Sequence, residues 1–166
     1  FSTGFFIERF SKELARDERP LIRKYYRLFL ARLQMMQGNY REARQQLNEI
    51  LERGDTDPDY EKLFIARAFE AQALCAQKLK DEQARNEWLY RLYLLYPQLV
   101  PASGMKMNMQ LHVSGKEDPK VTARLKACNI NWVTGRNVPA AHAYLIFSEE
   151  EGRKNITYYV LDAEGN

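Results

Sequence analysis

The sequence predicts an α+β protein in which antiparallel helical hairpins are followed by a small α+β unit with a β-hairpin. Apolar residues recur at helical spacing up to about residue 100 and alternate with polar residues beyond it. Gly and Pro concentrate between these two regions, at residues 97–104. A chain of 166 residues, 45% of them hydrophobic, is long enough to form such cores. We therefore expect two domains, residues 1–101 and residues 102–166.

Four helices are predicted in the first region. They cover residues 20–37, residues 40–51, residues 59–78 and residues 81–96. Pro20 suits a first helical turn, and Gly38 with Asn39 separates the first two helices. A turn at residues 54–58 separates the second helix from the third, and Pro97 stops the fourth. Helices joined by such short breaks are expected to pack as antiparallel hairpins.

The fourth predicted helix is apolar on every side. Arg91 is the only charged residue between Trp88 and Tyr96. A helix of this kind must be covered on more than one face. We expect the second domain to cover one side of it, and the alternative is that this side is a surface for a partner.

The second region follows the order β-α-(β)-β-β. Alternating apolar residues predict a strand over residues 105–113, and Asp118-Pro119 begins a helix that ends near residue 128. A brief strand at residues 130–133 is followed by two strands, at 141–148 and 156–161, whose connection contains Gly152, as in a β-hairpin. The last residues have the composition of a turn before another strand, so we expect this domain to continue beyond them.

A repeat is visible among the predicted helices. Gly4 with Phe6 recurs as Gly38 with Tyr40, at a spacing of 34 residues. This spacing is the period of the tetratricopeptide repeat family, and residues 1–97 resemble that family. The residues that carry the resemblance are Leu30, Ala31, Gly38, Tyr40, Ala43, Leu47, Ala84, Trp88, Tyr96 and Pro97.

Three residues depart from the family pattern. Arg27 stands where a large aromatic residue is usual, and Leu79 and Asp81 replace the Gly and Tyr between helices. The resemblance still implies a short α-solenoid that acts as a non-catalytic scaffold for protein–protein interaction.

The resemblance also implies where a partner would bind, because the first helix of each hairpin lines a concave groove in that family. The matching residues are Tyr25, Arg32, Met35 and Phe69, which we expect to hold an extended peptide or another protein. Aromatic and Arg side chains are the usual anchors of interfaces. Arg32 would favour a carboxylate on the peptide.

Several other classes of function are not supported by the sequence. A net charge of +3 is too small for a nucleic-acid footprint, and no apolar run is long enough for a transmembrane segment. His112 and His142 have no metal-ligand spacing, and the scattered glycines form no phosphate-binding loop. We therefore expect no enzyme, metal or cofactor. Cys75 and Cys128 fall on apolar faces of predicted helices and are expected to be buried free thiols.

Two alternatives to the scaffold remain open. The chain could be an accessory or regulatory piece of a larger enzyme, or it could bind a small ligand between the helices and the sheet. The aromatic-rich first segment, and a start at Phe1 rather than Met, suggest a bacterial cell-envelope setting. That setting would be periplasmic, outer-membrane-associated or secreted.

Overall fold

The computed structural model describes residues 2–52, 58–135 and 137–166, with only the backbone of residues 20–21 and 58–61. The described residues form seven helices and four strands, which confirms the α+β class. Two compact units divide the chain, Phe1–Trp88 and Leu89–Asn166. The domain boundary expected after residue 101 stays a prediction, because compactness does not test which segment folds by itself.

The first unit consists of consecutive antiparallel helices. They are α1 (Thr3–Arg16), α2 (Pro20–Met36), α3 (Tyr40–Leu51), α4 (Pro58–Lys78) and the first half of α5 (Glu82–Leu95). The four predicted helices correspond to α2–α5, whereas α1 was not assigned from the sequence. The side chain of Ser2 caps α1 by accepting a hydrogen bond from the Phe5 amide. Of the predicted turn at residues 54–58, residues 54–57 lie outside the described residues.

The core of the first unit joins α2, α3 and α4. Its small residues allow the helices to approach closely, and its larger residues fill the remaining space. The buried members are Ala31, Ala43, Leu47, Ile50, Ala68, Ala71 and Cys75, with Leu28, Met35, Tyr40, Leu51 and Phe64 packed against them. Four of the ten residues that carried the repeat pattern, Ala31, Tyr40, Ala43 and Leu47, therefore pack in this core.

The turn between α4 and α5 explains one departure from the repeat pattern. Gly38 follows α2 with a φ of +80°, and Lys80 adopts the same left-handed conformation after α4, with a φ of +59°. Asp81 then caps α5, because its carboxylate accepts a hydrogen bond of 3.1 Å from the Ala84 amide. The same carboxylate lies 3.2 Å from the guanidinium of Arg44 on α3. Lys80 and Asp81 thus occupy the places that Gly38 and the N-cap residue Asn39 have before α3.

Arg27 is the other departure, and it forms a polar link between α2 and α3. Its Nη1 lies 2.5 Å from Oε2 of Glu49 and donates a hydrogen bond of 3.0 Å to Oε1 of Gln46. The Arg27 side chain is only 13% exposed. The ion pair therefore joins the two helices at a position where the family usually packs an aromatic ring.

The second unit is built on a four-stranded sheet. After the end of α5 it contains α6 (Leu99–Ala102), β1 (Asn108–Ser114), α7 (Pro119–Lys126), β2 (Asn131–Trp132), β3 (Ala141–Glu150) and β4 (Arg153–Leu161). The strand order is β2-β1-β3-β4, with β1 parallel to both its neighbours and β3 antiparallel to β4. This confirms the predicted order of elements, although β1 begins later and the hairpin strands are longer than predicted.

The two cysteines differ in exposure. Cys75 is fully buried in α4, and burial raises the pKa of its thiol to about 11. Cys128 is exposed, so the expectation that it is buried was wrong. The reason is that α7 ends at Lys126, two residues before Cys128, which therefore lies in the following turn rather than on a helix face.

The sheet has one covered face and one exposed face. Alternate residues of β3 (Ala141, Ala143 and Leu145) are buried. The second half of α5 lies against β4, where the Tyr90 hydroxyl donates a hydrogen bond of 3.4 Å to the Val160 carbonyl. In the same helix Leu89 and Leu92 are buried but Leu94 is 60% exposed.

Candidate functional site

Tyr25 and Arg32 lie on one face of α2, since seven residues are close to two helical turns. Arg32 is exposed, and no hydrogen bond or ion pair joins it to another residue in the described part of the chain. The Tyr25 ring packs edge-on against Phe64 of α4, with ring centroids 5.0 Å apart. A free cation and an aromatic pair thus occur on the predicted partner-binding helices.

The other two predicted residues have different neighbours. Met35 packs against the core of the first unit. The ring of Phe69 lies 5.6 Å from that of Trp88 on α5. Phe64 is therefore the α4 residue that Tyr25 contacts, and the sequence analysis did not single it out. Phe64 follows Pro58 by six residues whereas Tyr25 follows Pro20 by five, so the spacing from the helix start did not identify it.

Arg32 is flanked by exposed apolar side chains on α2. Phe29 is 54% exposed and Met36 is 76% exposed. The spacing of three and then four residues places Phe29, Arg32 and Met36 on one face of the helix. On one side, the Phe29 ring stacks on Phe10 of α1 at a centroid distance of 5.8 Å. We call these three residues the α2 stripe, which combines a cation with apolar surface.

The connection between α1 and α2 is held by contacts of Asp17 with two arginines. Asp17 accepts hydrogen bonds of 3.0 Å and 2.6 Å from Nε and Nη2 of Arg19. These bonds hold the pKa of the Asp17 carboxyl at about 2. Arg23 of α2 donates to the Asp17 carbonyl oxygen at 3.1 Å. These three bonds stabilise the turn that places α1 beside the α2 stripe.

A row of rings crosses the exposed face of the sheet in the second unit. Tyr144 of β3 stacks on His112 of β1, with centroids 4.7 Å apart, and on Tyr159 of β4, with centroids 4.9 Å apart. His142 of β3 lies diagonally from His112, and Nε2 of His112 is 3.0 Å from Nδ1 of His142. The sequence predicted that both histidines lie on strands, but it did not predict that they contact each other.

A pocket of about 350 Å³ opens where β1 and β3 end. From β1 the chain continues to β2 on one side of the sheet, and from β3 it continues to β4 on the other side. Ligands commonly bind where the connections from two neighbouring parallel strands diverge in this way. The lining of the pocket carries charges of both signs and therefore does not favour a ligand of either charge. The lining residues are Lys116, Glu117, Asp118, Pro119, Phe147, Ser148, Glu149, Lys154, Asn155 and Ile156. The described residues contain no group of three or more His, Cys, Asp or Glu side chains able to hold a metal ion.

Comparison with known families identifies part of the first unit. Residues 25–77 match a family model for the tetratricopeptide repeat, which confirms the resemblance for most of α2, all of α3 and nearly all of α4. No family match falls on the second unit. No curated protein and no solved structure matches the chain. Among the described residues, none of the helices is long and apolar enough to cross a membrane.

Proposed function

We propose that the tetratricopeptide repeat of residues 25–77 makes this chain a non-catalytic scaffold that binds another protein. Repeats of this type generally serve protein–protein interaction and carry no catalytic groups. The proposed groove uses the predicted residues Tyr25, Arg32, Met35 and Phe69. The observation that carries the proposal is Arg32, an exposed cation between exposed apolar side chains on the matched repeat.

The chemistry of the α2 stripe favours an extended peptide with a carboxylate. The guanidinium of Arg32 can donate two parallel hydrogen bonds to such a group. Contact with Phe29 and Met36 would exclude water from these bonds, which strengthens them. Two hairpins offer a small contact area, so we expect an affinity on the order of micromolar.

The test begins with affinity capture of a partner by the whole chain and continues with calorimetric titration of that partner. Arg32→Ala should weaken binding by about tenfold or more, since an anchor of an interface is worth about 1–2 kcal/mol. Phe69→Ala should weaken it as well. The matched control is Arg153→Ala, which removes the same charge from an exposed position in the second unit.

Circular dichroism of each variant separates loss of binding from loss of folding, which matters most for Phe69 because its ring packs on Trp88. Unchanged binding by Arg32→Ala and Phe69→Ala, together with loss of binding after changes on the sheet, would move the site to the second unit. The bacterial envelope setting is part of the proposal, and fractionation of the source cells tests it. The accessory-enzyme and small-ligand alternatives stay predictions.

A further inference from the structure

The two histidines of the chain meet on the exposed face of the sheet. His112 lies on β1 opposite Tyr144 of β3, and His142 lies two residues before Tyr144, so the imidazoles approach diagonally. Nε2 of His112 and Nδ1 of His142 are 3.0 Å apart and share a hydrogen bond. His112 is exposed, and solvent can therefore reach the pair.

We propose that His112 and His142 form a two-imidazole site for a late first-row divalent metal ion, with Cu²⁺ as the preferred ion. Metal–imidazole bonds are about 2.0–2.1 Å long, so two ligands at right angles are about 2.9 Å apart and two tetrahedral ligands about 3.4 Å apart. The observed 3.0 Å is the length of the metal-free hydrogen bond, and because it is close to the right-angled value the two nitrogens already lie within chelating distance. Right-angled nitrogen and oxygen ligands suit Cu²⁺ or Ni²⁺, and Cu²⁺ binds most tightly in the divalent series. This site goes beyond the proposed scaffold function and does not depend on it.

Metal binding requires a lone pair on each of the two facing nitrogens. In the metal-free pair one of these nitrogens donates its N–H to the other. Binding therefore needs that ring to carry its proton on its other nitrogen, so that the protons sit on Nδ1 of His112 and Nε2 of His142. Two neutral rings can do this by a change of tautomer with no net release of protons. Water would complete the coordination, because this face is open.

The surroundings of the pair suit a cation. Tyr144 stacks on the His112 ring with an angle of 17° between the planes, and Tyr159 stacks on Tyr144 at 9°. These stacked rings limit rotation of His112, so Tyr144 is a positioning residue. The neighbours that share this face by register and strand alternation carry no charge that could repel a metal ion. They are Gln110, Ser114, Ile146, Thr157 and Leu161.

The test uses the full chain without a histidine tag. The sample then contains no imidazole other than those of His112 and His142. Cys128→Ser serves as the background, since Cu²⁺ oxidises exposed thiols. With one equivalent of Cu²⁺, the electron paramagnetic resonance spectrum should show a tetragonal ion coupled to two equatorial nitrogens. His112→Gln and His142→Gln should each lose one nitrogen coupling and weaken binding by about tenfold or more, since the remaining ligand acts alone.

The controls separate ligands from the scaffold that holds them. Thr157→Val changes an exposed residue of the same face and should bind Cu²⁺ like the background. Tyr144→Leu should keep both nitrogen couplings but lower the affinity, which a purely structural ring would not do in a folded variant. Zn²⁺ should displace Cu²⁺ only in large excess, and equal affinity for Zn²⁺ would refute the right-angled geometry.

The spectrum of the background protein decides the proposal without any histidine variant, so misfolding of a variant leaves it testable. Coupling to one nitrogen or none would overturn the site. Affinity unchanged by both His→Gln substitutions would overturn it as well, because the ion would then be bound elsewhere.

Discussion

Gly115 offers the sharpest test of the sheet in the second unit, because two independent effects forbid a side chain there. Its φ is +84°, a conformation that costs an L-residue about 1–2 kcal/mol. A Cβ atom would also lie 1.9 Å from the carbonyl oxygen of Phe147, whereas real Cβ contacts are essentially never shorter than 3.0 Å. The loop after β1 and strand β3 would have to separate by about 1 Å, and such overpacking costs about 1–3 kcal/mol or more. We therefore expect Gly115→Ala to lower the free energy of unfolding by about 2–5 kcal/mol.

The assay is equilibrium unfolding in urea, followed by far-ultraviolet circular dichroism. Gly104→Ala is the matched control, since Gly104 has a similar φ of +74° and no atom within 4 Å of its Cβ position. The control should lose about 1–2 kcal/mol from the backbone conformation alone. If the two variants unfold at the same urea concentration, the close approach of Gly115 to Phe147 is wrong.

Three further predictions concern single side chains. Lys80→Gly should raise the free energy of unfolding in urea by about 0.5–1 kcal/mol, because the left-handed strain that glycine relieves is larger than the chain entropy that glycine adds to the unfolded state; Gly38→Lys should do the reverse. The pKa of Asp17 is lowered from 3.8 to about 2, so its contribution to stability is complete above about pH 4 and is lost as the pH falls towards 2. Asp17→Asn should remove that part of the acid titration of stability. Burial, and a hydrogen bond to Tyr93, raise the pKa of Tyr158, so stability should fall as the pH rises above 10 and Tyr158→Phe should resist alkali better.

The helices were the most predictable part of the fold, because each carries its own periodic signal. The apolar stripe of α3 and the break at Gly38 predicted its limits, since Gly38 adopts the left-handed conformation that ends α2. Asp118 likewise caps α7 as predicted, by accepting a hydrogen bond of 2.9 Å from the Lys120 amide. Such signals are local, so a single sequence contains them.

The ends of helices and strands were less predictable, and errors there changed the predicted burial of individual side chains. The predicted helix over residues 119–128 stops at Lys126, and this difference alone moves Cys128 from a buried face to an exposed turn. On α2, adjacent side chains differ by about 100° around the axis. Met35 therefore packs into the core while Met36 is 76% exposed, although the pattern of apolar residues treats them alike.

Contacts between strands were the least predictable feature, and both surfaces argued above depend on such long-range placement. His112 and His142 belong to strands that are neighbours in the sheet but not consecutive in the chain, since α7 and β2 lie between them. A shift of one residue in the register of β1 and β3 would turn one histidine to the covered face and remove the pair. The composition of each strand would be unchanged by that shift, so no local pattern could reveal the contact. The Tyr25–Phe64 contact has the same origin, because it depends on how α2 and α4 pack rather than on the period of either helix. Both contacts join residues that are far apart in the sequence. For this reason, substituting each member of a contact in turn tests these surfaces more directly than the local sequence pattern can.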